Sequence, residues 1–142
     1  MPGKMTTEEV HAFLDSRPGW IALTTLSASG HPHTIPIGYF RQGDRVYMGC
    51  RAGTQKLKNI ERNPKVSLML ESGSTMQDIK GVCIQGDARV ISEPGEMLPL
   101  LRSSMAARGV PEEQLPTEAR PGAAYIEVTP SKVISWDYAK PD

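Results

Sequence analysis

Between Trp20 and Cys50, three runs of strand-forming residues follow one another with gaps wide enough only for turns: WIALTTL, HTIPIGYF and RVYMGC. β-Branched and aromatic side chains suit the pleated, half-buried surface of a sheet. The gaps SASGHP and RQGD are built from turn residues. A parallel sheet needs a crossover, usually a helix, between successive strands, and these gaps leave no room for one. The three runs therefore read as an antiparallel meander, with Pro36 assigning the second to a sheet edge or a bulge. The pattern continues through VSLMLE, the long run KGVCIQGDARVIS with Gly86 marking a bulge or bend, and finally AAYIEV and KVISWD. The expected fold is mainly β, with six to seven antiparallel strands closing into a small barrel, because open sheet edges need covering.

Helices are few and short. Thr6 and Glu9 form a capping box, with Met5 and Val10 placed as its hydrophobic staple. Val10, Phe13 and Leu14 mark the buried edge of this helix, which ends before Arg17-Pro18-Gly19. A second helical stretch runs from Glu93 to Arg108, started either by Pro94 or, given Pro99, nearer Leu98, and carries Leu98, Leu101 and Met105 on one side. The whole chain, residues 1–142, reads as one domain, with an N-terminal helical segment at 1–17 and a proline-rich loop at 109–122. The length and composition of that loop leave open whether it forms a lid.

Sixteen basic and sixteen acidic side chains leave no net charge, which argues against a basic nucleic-acid-binding surface. No run approaches the roughly 20 apolar residues of a membrane span, and MPGKMTTEEV lacks the apolar core of a signal peptide. A cytoplasmic protein is expected. Two cysteines, Cys50 and Cys83, give no disulfide framework and no zinc spacing, and read as reduced, buried thiols.

The segment GCRAGTQKLKNIERNPKVSL, from Gly49 to Leu68, holds a third helix, with Thr54 at the N-cap position and Asn63-Pro64 as its stop. Lys56 and Lys58 lie in or beside the first turn, where the helix dipole makes a cation unfavourable by about 0.3–1 kcal/mol. Around them, Arg41, Arg45, Arg51, Lys56, Lys58, Arg62 and Lys65 face only Asp44 and Glu61, a local excess of five positive charges. Either water screens that cost or an anion sits there. A glycine turn leading into a helix start presents backbone N–H groups to a phosphate, and Arg51 and Lys56 would add charge-assisted bonds. The segment is not a P-loop, because G-x-x-x-x-G-K-[ST] is absent.

RVYMGCRAGTQKLKNIERNPKVSLML resembles the central signature of the pyridoxamine 5′-phosphate oxidase-like, flavin-binding split-barrel superfamily. WIALTTLSASGHPHTIPIGYF is similar to that family's first hairpin, KGVCIQGDARVIS to its long later strand, and VTPSKVISWDY to its last. The resemblance runs from about Val10 to Tyr138. It implies an antiparallel split β-barrel that forms a homodimer with two cofactor sites at the subunit interface. It assigns the cofactor phosphate to Cys50, Arg51, Thr54, Gln55 and Lys56, with Lys58 a weaker candidate. The isoalloxazine ring falls to the backbone of Ile35, Pro36 and Ile37, and Trp136 on the last strand is placed near the ring.

Two departures argue against vitamin B6 oxidation: Ile35 stands where the oxidases carry a phosphate-gripping arginine, and the arginine-rich C-terminal segment is missing. What the resemblance implies is an oxidoreductase that uses FMN, or alternatively the deazaflavin coenzyme F420, on a small organic substrate. The alternative is a non-catalytic flavin- or haem-binding carrier or sensor. A third reading is an interaction domain whose basic turn binds nothing. Hydride transfer is the cofactor's chemistry, in keeping with a chain that shows no G-x-S-x-G elbow or other nucleophile motif. His31 and His33 flank Pro32 without a second ligand cluster, so they read as turn polarity and no metal is expected.

Overall fold

The computed structural model describes residues 3–141. Helix α1 (Thr7–Ser16) begins at the expected capping box. The Glu9 amide donates to the Thr6 hydroxyl at 3.1 Å, and the Thr6 amide donates to the Glu9 carboxylate at 2.9 Å. Val10, Phe13 and Leu14 are buried, as their spacing predicts.

Strands β1 (Ile21–Leu26), β2 (Pro32–Ile37), β3 (Phe40–Gln42) and β4 (Arg45–Arg51) precede helix α2 (Gln55–Arg62). Strands β5 (Lys65–Ser72) and β6 (Lys80–Ile91), helix α3 (Pro94–Ala107) and strand β7 (Ala123–Asp137) follow. The seven strands form one antiparallel sheet in the order β2-β1-β5-β6-β7-β4-β3.

This order corrects the expected meander. The run His33–Phe40 is not one strand: it breaks at Gly38 and Tyr39 into β2 and β3, which lie at opposite edges of the sheet. Flat, a seven-stranded sheet would hold its edge strands about 28 Å apart. Two linking residues let the chain ends on either side separate by only about 11 Å. The sheet must therefore curl until β2 and β3 approach each other at this link without pairing, and that curl is the split barrel. Buried Tyr39 fastens the seam to α1, its hydroxyl donating to the Leu14 carbonyl at 2.6 Å.

The expected pair AAYIEV and KVISWD is a single strand, β7. Gln85 faces Lys132 and Gly86 faces Pro130, so Ser131 is an extra, unpaired residue. A proline within a paired strand is tolerated at a bulge, which explains why Pro130 reads as a break in sequence yet interrupts nothing. Gly86 does mark the bulge, but the additional residue belongs to the opposing strand. A Cβ on Gly86 would run into the Thr129 carbonyl oxygen, so a bare backbone is required there.

The barrel interior is filled from alternate positions, including Leu23, Met48, Leu68, Ile84 and Ile126, each 2% exposed or less. A second apolar layer joins the outer face of the sheet to α3 through Phe40, Tyr47, Ile91, Met97, Leu101 and Tyr125. Helix α3 starts at Pro94 and buries Met97, Leu100, Leu101 and Ser104. Its inward face is thus rotated from the expected Leu98, Leu101 and Met105. No helix is long and apolar enough to cross a membrane among the described residues.

Candidate functional site

Strand β4 delivers the chain into a turn at Ala52 and Gly53, and α2 begins two residues later. Gly53 has φ 77°, and a Cβ there would meet nothing within 4 Å, so the turn opens onto clear space. Thr54 occupies the N-cap position with extended backbone, but its side chain does not cap the helix. Its hydroxyl instead donates to the Arg51 carbonyl at 3.2 Å and accepts from the Lys56 ammonium at 3.3 Å. This corrects the expected hydroxyl cap. The Leu57 and Lys58 amides donate to the Thr54 carbonyl at 3.1 and 3.2 Å, which leaves the Gln55 and Lys56 amides without a side-chain acceptor, and the first turn contains no acid.

The local charge excess is smaller than the composition of the segment implies. Arg41 is held by Asp15 at 2.6 Å and Arg45 by Glu127 at 3.4 Å, both away from the turn. Arg62 donates to the Leu26 carbonyl. Arg51, Lys56 and Lys58 make no ion pair among the described residues. Exposed Lys58 stands away from the buried Leu57, Asn59 and Ile60 edge of α2.

Asn59, fully buried, locks the helix to the sheet. Its amide donates to the Thr25 hydroxyl at 3.0 Å, and its carbonyl accepts from the Gln55 side chain at 2.8 Å. The Gln55 side-chain amide is thereby committed along the helix, leaving its backbone N–H for the turn. Cys50 is half-buried; burial pushes its thiol above the usual range against the opposing pull of Lys56, so it is poorly suited to act as a nucleophile.

Strand β2 pairs only with β1, to which Asn59 and Thr25 tie α2, and leaves its other edge free within the chain. Ile35 packs against the barrel core and Ile37 is buried, while Pro36 points outward. Their side chains leave the backbone of this edge as the surface available to a ligand. His33 faces Thr25 across the pair, and its Nδ1 is the one buried side-chain polar atom without a partner among the described residues. Trp136 lies elsewhere, its ring against Gly81. It is thirteen positions along β7 from Ala123, the partner of Arg51, about 40 Å of extended strand. One chain brings together Cys50, Arg51, Thr54, Gln55 and Lys56 at the turn, and does not bring Trp136 to them.

Sequence reasoning missed a cavity of about 510 Å³ that adjoins the turn and shares Cys50 and Arg51 with it. Trp20, the Gly38–Phe40 link, Gly49, Tyr125 and the inner face of α3 line it. The end of the proline-rich loop, Ala119 to Gly122, forms a further wall. The Ala52 amide donates to the Gly122 carbonyl at 2.9 Å, tying that loop to the turn. Arg102 anchors its other part through Glu112 at 2.9 Å and the Pro116 carbonyl at 2.7 Å. Burial pushes the Tyr39 phenol up to about 12 and raises that of Tyr125, so both stay uncharged well above the usual tyrosine range.

A family model described as pyridoxamine 5′-phosphate oxidase matches residues 6–137. No curated protein matches the sequence significantly. Among solved structures, the fold is similar to a conserved hypothetical protein from Mycobacterium tuberculosis, with TM-score 0.82 and 23% identity over 97% of this chain and 90% of that one. It is also similar to HutZ, the haem storage protein from Vibrio cholerae, with TM-score 0.71 and 14% identity over 96% and 100% of the two chains. An F420 reductase matches with TM-score 0.61 and 18% identity over 86% and 94%. At these identities the likeness is one of fold.

Proposed function

Because the chain belongs to the pyridoxamine 5′-phosphate oxidase family, whose model spans residues 6–137, we propose that it is an oxidoreductase binding FMN, with F420 as the alternative, and acting on a small organic molecule. The observation that carries this reading is the open start of α2: Gly53 facing clear space, no side-chain cap, no acid in the first turn, and Arg51 and Lys56 without carboxylate partners among the described residues. Such a helix start suits a phosphate, because its N–H groups and dipole both favour an anion.

In this reading Arg51, Lys56 and the first-turn amides hold the cofactor phosphate, with Cys50, Thr54 and Gln55 shaping the turn. Lys58 contributes only long-range charge. The free backbone of β2 at Ile35, Pro36 and Ile37 orients the ring edge. The cofactor, when bound, supplies hydride transfer at its ring. The chain itself excludes water from the neighbouring cavity with Phe40, Tyr125, Met97 and Leu101, and holds the substrate there.

A homodimer belongs to the same proposal. The strand registers set Pro36, Ala22, Met69, Cys83 and Ile134 in one row across the outer face of the sheet. Met69 is 42% and Ile134 41% exposed. An apolar row of this extent suits burial against a second copy. The site would then draw on both chains, and Trp136 would reach the ring of the other subunit's cofactor. Two free thiols, Cys50 and Cys83, fit a reducing, cytoplasmic setting.

A non-catalytic flavin or haem carrier remains the competing reading, favoured by the cavity lining, which offers no carboxylate or histidine for proton transfer. Turnover separates the two. Reduced FMN or reduced F420 is mixed anaerobically with the protein and a panel of quinone, nitro and activated-alkene acceptors. The oxidoreductase reading expects protein-dependent oxidation of one cofactor with at least one acceptor. Binding without any acceleration over the protein-free rate would assign the chain to the carriers.

A further inference from the structure

Strand β7 is covered on one side only along its second half. Its pairing with β4 ends at Val128, whereas its pairing with β6 continues to Asp137. Asp137 exchanges both backbone bonds with Gly3, at 3.1 and 2.8 Å, so its N–H and C=O point away from β6. Backbone groups of alternate residues in a strand face the same side, which turns those of Ser135 and Val133 to this edge as well. Met5 follows Gly3 along the edge and donates to the Ser135 hydroxyl at 2.9 Å, after which the chain leaves into α1. The Val133 N–H and C=O have no backbone partner among the described residues. The Val133 side chain is uncovered too. The strand registers set Leu23, Leu68, Ile84 and Val133 in one row on the interior face. The first three are 2% exposed or less, and Val133 is 46% exposed. It opens onto a cavity of about 510 Å³ between α1 and β7, with Val10 and Leu14 on the helix side. Lys4, His11 and Lys132 line this notch against one acid, Asp44. Neither lysine is in an ion pair among the described residues.

We infer that this notch docks a short extended segment of another protein, which adds as a strand to the edge of β7 at Val133. Strand addition draws affinity from main-chain bonds along an exposed edge and specificity from alternate side chains. The Val133 N–H and C=O pair with the backbone of the segment. One aliphatic side chain of the segment completes the interior row over Val133, Val10 and Leu14, and one acidic side chain meets Lys4 and Lys132. Prolines, bulges and lysines blunt an edge against pairing with a whole sheet, and Pro130, Ser131 and Lys132 stand directly before Val133. They restrict the partner to a segment of a few residues, which a volume of about 510 Å³ also suits. The apolar row proposed for a second copy runs over the opposite face of β7 and reaches the notch only at Ile134. The inference therefore stands apart from that interface and from the cofactor reading.

The test is selection from a displayed library of random heptapeptides on the purified protein, followed by fluorescence polarisation with the enriched peptides. Enriched sequences are expected to alternate aliphatic residues and to carry an acid, and their binding should slow hydrogen exchange at the Val133 amide. A proline is accepted on an edge strand where the N–H it removes bonds nothing in the sheet. Val133→Pro should therefore fold, and should bind the peptides about tenfold more weakly through loss of the edge bonds. The surface double variant Lys4→Glu/Lys132→Glu leaves the edge intact and should weaken the same peptides by about tenfold through like-charge repulsion. If Val133→Pro does not fold, the double variant and the exchange at Val133 carry the test. No enrichment, unchanged exchange at Val133, or binding that survives a folded variant would overturn the inference. Loss of peptide binding in Lys56→Ala would place the peptides at the α2 turn and overturn it as well. A wild-type dimer that Val133→Pro converts to monomer would show a second copy on this edge, and the inference would fall.

Discussion

Asn59 shows how a single side chain couples the sheet to the binding turn. It is completely buried, joins Thr25 of β1 to Gln55 at the start of α2, and has no apolar substitute that would satisfy both partners. Asn59→Ala should cost about 1–3 kcal/mol, because it leaves buried groups unpaired, and it should loosen the turn as well. Chemical denaturation reads the first effect, and weaker cofactor binding reads the second. Glu9 gives a pH signature at the same scale. Its bond to Lys140 at 2.5 Å, then the Thr6 amide, lower its carboxyl from 4.5 to about 2. A carboxylate depressed on folding stabilises the native state above its unfolded value, so this contribution is full above about pH 4.5 and is lost as the pH falls toward 2. The wild type should therefore exceed Glu9→Gln in urea midpoint at pH 7, and the gap should close in acid. The capping half of this arrangement is legible in the spacing of Thr6 and Glu9. Its Lys140 half is not, since 131 positions separate the partners.

At the scale of elements, what the sequence reveals depends on how local the cause is. Helix starts and stops, the edge character of β2 and the bulge at Gly86 follow from caps, prolines and glycines acting on their neighbours. Pairing between distant strands does not. No local signal tells that β2 and β3, two residues apart, occupy opposite edges of the sheet, or that Pro130 sits in a bulge rather than a break. The same limit governed the charges around α2: Arg41 and Arg45 belong to Asp15 and Glu127, which only the folded sheet brings near. Gly86→Ala tests the bulge directly. The added Cβ collides with the Thr129 carbonyl oxygen, and backbone cannot yield as a side-chain tip can, so a loss of about 1–3 kcal/mol is expected in thermal unfolding.

For the whole molecule, the curled sheet places the open turn and the neighbouring cavity side by side, while it leaves one edge of β2 unpaired and an apolar row on its outer face. If a second copy covers that row, sedimentation should give about twice the 15.5 kDa chain mass. Met69→Lys, at a site already 42% exposed, should yield a folded monomer of reduced cofactor affinity. A monomeric wild type would remove the interface from the account. The most direct test of its central claim, that the start of α2 holds a cofactor phosphate, is a pair of fluorescence titrations of the cofactor-free protein with FMN and with F420, repeated on Lys56→Ala. Saturable binding of one of them is expected, weakened about tenfold or more in the variant through loss of a charge-assisted bond. Binding of neither, or equal binding by wild type and variant, would contradict it.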